Sequence, residues 1–217
     1  MKKGYTAILS LIALNIVITG TVIAFLPEEV ALHFAMDGQV DSIGSKWWNI
    51  VWPIITALTG GFLYLVAKNA EPQNEKMTVR AGVGLVAFMN ALTLFVLVNQ
   101  VMLDADGLSG TFTWEPPLGI CLGLLISLIG NMLPKSNRNL AFGIRTPWSM
   151  GSDQAWQKTQ RFAAYIFTAA GVLMAVFGML LRGWAFIFVL IGIVAISGVV
   201  CVAASYCFFS TSTDVSE

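Results

Sequence analysis

A single imidazole, His33, stands in a stretch that also carries Asp37, Asp41 and the adjacent pair Ser45 and Lys46. An i, i+4, i+8 spacing would align His33, Asp37 and Asp41 on one helix face as donors to a cation. Gly38 interrupts such a helix and no second His or Cys lies near, so no metal site is expected. Two readings stay open: a hydrogen-bonded cluster that folds the loop, or a surface that contacts a ligand. The second chemistry-bearing stretch is Phe142-Gly-Ile-Arg-Thr-Pro-Trp-Ser149. Gly143 can take backbone angles closed to other residues, while Pro147 fixes its own φ and biases Thr146 toward extended geometry. Arg145 is then held on a stiff stem, from which a guanidinium can fork onto a carboxylate or phosphate, and Trp148 suits headgroup depth. Ser149 or Ser152 can cap a short helix beginning near Asp153, whose acid falls in the favourable first turn. On that helix Trp156 and Gln160 share a face, and Lys158 and Arg161 are neighbours. The spacing suits an interfacial helix, with the loop either latched to anionic lipid or offered to a partner.

The elements that position these residues are apolar. The 217 residues are 57% hydrophobic and 11% charged, well below the roughly 25% charged of a soluble domain, and mean hydropathy is +0.77. Net charge is zero, which gives no bulk field for direct nucleic-acid binding. An apolar helix needs about 20 residues to cross a bilayer. Six segments qualify, near 4–26, 47–67, 79–103, 116–133, 162–181 and 184–208. The fold class is therefore all-α, a polytopic bundle of six transmembrane helices. The first segment is too long for a signal-peptide core and lacks an Ala-x-Ala site, so it reads as a retained anchor. Pro116 and Pro117 suit a first helical turn, whereas Pro53 predicts a kink inside the second helix.

Charge fixes the expected orientation. Of the 12 basic residues, Lys2, Lys3, Lys68, Lys76, Arg80, Lys135, Arg138, Arg145, Lys158 and Arg161 fall on one side, and only Lys46 and Arg182 on the other. The positive-inside rule places both termini and the loops near 68–80 and 134–161 in the cytoplasm. The outer loops carry Glu28, Glu29, Asp37, Asp41, Asp104, Asp106 and Glu115. These acids either attract a cationic ligand or simply solvate the surface. Within the spans or at their ends the polar side chains are the amides Asn15, Asn90, Asn99, Gln100 and Asn131, with no ionisable group clearly at mid-span, which weakens an ion-coupled transporter. Gly119 and Gly123, and Gly82 and Gly84, favour close helix packing. Cys121, Cys201 and Cys207 lie in apolar runs and are expected to be buried packing thiols, without a disulfide or metal role.

Two stretches resemble known bacterial families. Pro27, His33, Gly38, Asp41 and Gly44-Ser45-Lys46 look like the short membrane-associated domain of unknown function that commonly precedes the SdpI module. Ile129 to Arg161 resembles the SdpI family signature through Gly130, Asn131, Pro134, Lys135, Asn139, Gly143 to Trp148, Trp156, Lys158, Thr159 and Arg161. One departure is Gln160, where the family often has His; this removes a titratable group and with it any support for pH sensing. Another is Ala141-Phe142, where an aromatic pair is common. Together these divide the chain into an N-terminal membrane region, 1–103, with the acidic loop 27–46; an SdpI-like module, 104–209, with the basic loop 134–161; and a disordered tail, 210–217.

The resemblance implies a non-enzymatic immunity protein of the bacterial inner membrane. Such a protein gives resistance to a secreted membrane-active peptide toxin and signals by retaining an ArsR-type repressor at the membrane. No cofactor is implied. The candidate outer contact residues are His33, Asp37, Asp41, Ser45 and Lys46. The candidate cytoplasmic partner or lipid residues are Asn131, Lys135, Asn139, Gly143, Arg145, Thr146, Pro147, Trp148, Trp156, Lys158, Thr159 and Arg161. A small-solute or lipid transporter, or less readily a membrane enzyme, stays open as an alternative.

Overall fold

The computed structural model describes residues 2–70, 72–105, 113–138 and 142–213. Asp106, Asn139 and residues 214–217 lie outside them. Among the described residues six helices are each long and apolar enough to cross a membrane: α1 (Lys2–Phe25), α2 (Val51–Lys68), α3 (Pro72–Ala105), α4 (Glu115–Met132), α5 (Asp153–Leu180) and α6 (Gly183–Thr213). Large apolar side chains point outward along them, such as Leu58, Phe62, Phe188 and Val199, as expected where lipid replaces water. The protein is a multi-pass membrane protein.

The helices alternate in direction and leave two working ends. One end, the hairpin end, carries β1 (Glu29–Phe34) and β2 (Val40–Ser45), an antiparallel pair not foreseen in the sequence. The other, the loop end, carries the termini and the connection from α4 to α5. A 3-10 turn, Lys46–Ile50, precedes α2, so Pro53 sits in the first turn of the α-helix, where its missing N–H costs little. The change of helix type from 3-10 to α falls just upstream of the proline, near which the sequence predicts a kink. Two expectations are corrected. The interfacial helix from Asp153 is continuous with α5, and α6 runs on to Thr213, into the stretch read as a tail.

Helices α4 and α5 meet along a seam of glycines. A Cβ on Gly119 would stand 2.6 Å from Met174 O and 2.9 Å from Gly178 Cα, and one on Gly123 would overlap Gly171 O. Removing Cβ is what lets the two backbones touch. Cys201 is buried beside Leu133 and Ala163, Cys121 is half-buried, and Cys207 is exposed, so burial does not extend to Cys207.

Helices α1 and α3 are tied by amides. Asn15 Nδ2 donates to Thr93 Oγ1 (3.0 Å) and Asn90 Nδ2 to Leu11 O (3.2 Å). The α5–α6 turn is held by two opposite charges. Arg182 Nη1 donates to the carbonyls of Gly178, Met179 and Leu181 at the C-terminus of α5, and Glu115 Oε1 accepts from Gly183 N (2.6 Å) at the N-terminus of α6. Each sign complements its helix dipole. Glu115 is only 3% exposed, so it is a helix cap and not part of an acidic surface.

Candidate functional site: a hairpin end and a loop end

At the hairpin end, Asp37 and His33 go to different tasks. Asp37 Oδ1 accepts from Gln39 N (3.0 Å) and closes the turn, in which Gly38 has φ 83°. His33 Nδ1–H donates to Asp41 Oδ1 across the two strands (2.6 Å). Ser45 Oγ caps the 3-10 turn by accepting from Trp47 N (3.4 Å). Lys46 bends back to the base of the hairpin, donating to Leu26 O (3.0 Å) and pairing with Glu28 (3.1 Å). Of the candidate residues here, only His33 and Asp41 are brought into direct contact. No cluster of three metal-ligating side chains occurs among the described residues.

The hairpin is fastened to the bundle by apolar packing and two amides. Val30 packs with Leu26 and Leu97. Asn49 Nδ2 donates to Gln100 Oε1 (2.8 Å), and Gln100 Nε2 donates to Ala31 O (3.0 Å). Between strand β1, the start of α2 and α3 lies a cavity of about 480 Å³ whose walls include Phe34, Trp48, Trp52, Phe95 and Trp114, with Asn99 among its few polar groups. The aromatic walls come from four separate segments, so no local motif announces them. Glu28, Glu29, Asp37 and Asp41 are exposed on the hairpin and at its base.

At the loop end the segment 142–152 is a folded cap. Gly143 has φ 121°, and a Cβ there would stand 2.9 Å from both Gln160 Oε1 and the Trp156 ring, so glycine is required twice over. Gln160 then acts as a strand partner for Ile144: Ile144 N donates to Oε1 (3.0 Å) and Nε2 donates to Ile144 O (3.0 Å). Trp156 is buried and donates from Nε1 to Ser136 O (2.8 Å). The face that reads as interfacial thus points into protein, because it carries the partners of the loop backbone.

Thr146 and Ser149 complete the cap. Ser149 Oγ donates to Ile144 O (2.7 Å) and accepts from Thr146 N (2.9 Å). Ser205 spends its one hydroxyl proton on Val202 O (2.7 Å), so Thr146 Oγ1 is the donor in its 2.8 Å bond to Ser205 Oγ, and it accepts in turn from Ser149 N (3.0 Å). This chain latches the loop to α6, reinforced by Trp148 set edge-on to Tyr206 at 5.3 Å. Ser152 is the N-cap of α5, accepting from Ala155 N (3.0 Å). Arg138 binds Met150 O and Asp153.

The remaining candidates divide by exposure. Thr159 is fully buried; Arg145 and Pro147 are exposed on the cap, Lys158 is half-buried, and Asn131, Lys135 and Arg161 are exposed beside it. Lys135 Nζ donates to Asn131 Oδ1 (3.3 Å). The structural hubs that residue-by-residue reading passed over are Ser149, Ser136 and Ser205. Only the capping capacity of Ser149 was visible locally.

Comparison with known proteins follows the same division. Residues 135–205 match the SdpI/YfhL protein family, and residues 10–58 match a domain of unknown function, DUF1648. Over 209 residues the chain is 20% identical to the immunity protein SdpI of Bacillus subtilis (strain 168), spanning 96% of this chain and 97% of that protein. No solved structure gives a significant match. With both segments matched in order and the similarity running nearly end to end, the chain is similar to the SdpI/YfhL family over residues 135–205 and is a multi-pass protein of the bacterial cytoplasmic membrane.

Proposed function

We propose that this chain is a non-enzymatic immunity protein that protects its cell from a cationic, membrane-active peptide, with the hairpin end outside and the loop end in the cytoplasm. The similarity to an immunity protein along nearly the whole chain carries the reading. The hairpin end supplies fitting chemistry. An acidic rim draws a cationic peptide toward the surface, and the aromatic cavity beneath accepts its apolar side chains, as buried aromatic pockets do at binding hot spots. The loop end, with ten basic residues on its side of the chain, faces the cytoplasm by the positive-inside rule. Its latched cap holds Arg145 on a fixed surface suited to retaining a repressor. Expression in a peptide-sensitive bacterium raises survival under such a peptide. Unchanged killing across a panel of cationic membrane-active peptides contradicts the proposal.

A further inference from the structure

A cleft of about 910 Å³ opens between α4 and α5 at the loop end, away from the hairpin cavity. Its mouth holds Asn131, Pro134 and Arg161, and it runs past Tyr165 and Thr168 to Val172. Lys135, bonded to Asn131, stands beside the mouth. Among the described residues no acidic side chain lines it, and Arg161 takes part in none of the three ion pairs. From Arg161 to Val172 the α-helical rise is about 16 Å, which is half of a hydrocarbon core of about 30 Å, or one leaflet. The floor is shallow because the helices touch there: a Cβ on Gly130 would stand 3.0 Å from Phe167 Cβ and 3.1 Å from Ala164 O.

We infer that this cleft is a binding site for one anionic glycerophospholipid. Its phosphate sits between Arg161 and Lys135, with Asn131 as a neutral partner, and one acyl chain lies along the α5 side toward Val172. A guanidinium forks onto phosphate oxygens, and an exposed tyrosine, Tyr165 at 77%, one turn further along suits the level where headgroup gives way to chain. Two cations and no acid favour a lipid of net negative charge over a zwitterionic one. This site is independent of the immunity reading, which stands or falls at the hairpin end.

The test is native mass spectrometry of the full chain in detergent, titrated with phosphatidylglycerol, phosphatidylcholine or glycerol phosphate. The expected result is one phosphatidylglycerol bound in preference to phosphatidylcholine, and no retention of glycerol phosphate, which lacks the chains. Arg161→Gln or Lys135→Gln each weakens the first lipid by about fivefold, the factor for about 1 kcal/mol per cation near an anionic surface. Ala169→Trp blocks the chain groove without changing charge and lowers binding of both lipids. Equal binding of the two lipids overturns the inference, as does an undiminished phosphatidylglycerol preference in both charge variants. Retention of glycerol phosphate as strong as that of the lipid assigns the site to free phosphate and overturns it too.

Discussion

Gly143 and Gln160 form one device: the glycine brings the loop backbone against Trp156 so closely that the Gln160 amide can take both polar groups of Ile144. Gln160→Ala leaves the part-buried Ile144 N–H without that partner, while its C=O keeps the bond from Ser149 Oγ, at a cost of about 1–3 kcal/mol. Gly143→Ala adds backbone strain to a steric clash, also about 1–3 kcal/mol. Both variants insert normally but expose the segment 142–152 to protease in detergent or inverted vesicles. Wild-type protease resistance in both contradicts the assignment. In the sequence Gly143 was legible as a position that needs special backbone angles. Gln160 stood as a departure from its relatives that shares a helix face with Trp156, but its bonding role was hidden, because its partner lies sixteen residues away and is backbone, which has no residue-type signature.

Among the elements, the six spans were legible because bilayer thickness and backbone satisfaction leave little choice. Hydropathy missed the polar ends by which α3 and α5 start earlier, at Pro72 and Asp153, and α6 runs on to Thr213. The hairpin was not, since a two-stranded ribbon is marginal alone and this one is stabilised by Leu97 and Gln100 of α3, far away in the chain. The α4–α5 seam was legible in Gly119 and Gly123 as close packing, while the identity of the partner helix was not. Replacing Gly123 by Ala puts a methyl into the Gly171 backbone, so the helices must part at a cost of about 1–3 kcal/mol. Gly61→Ala on α2 meets nothing within 4 Å and leaves stability unchanged or raises it by about 1 kcal/mol or less. Thermal unfolding in detergent separates the two, and equal melting of both variants sinks the seam argument.

For the whole molecule, the proposed orientation rests on the concentration of Lys and Arg at the loop end, and it decides which site meets the outside. With the three native cysteines replaced by serine, Gln39→Cys at the hairpin turn is labelled by an impermeant maleimide on intact cells. Gln157→Cys, exposed near the start of α5, is labelled only after permeabilisation. The reverse pattern would move the aromatic cavity to the cytoplasm and remove the basis for peptide reception. The most direct test of that reception is survival under a cationic membrane-active peptide, compared at matched membrane levels between the wild-type chain and Trp52→Ala/Trp114→Ala. The wild type protects and the double variant loses most of that protection; equal protection by the two, or none by either, contradicts the account.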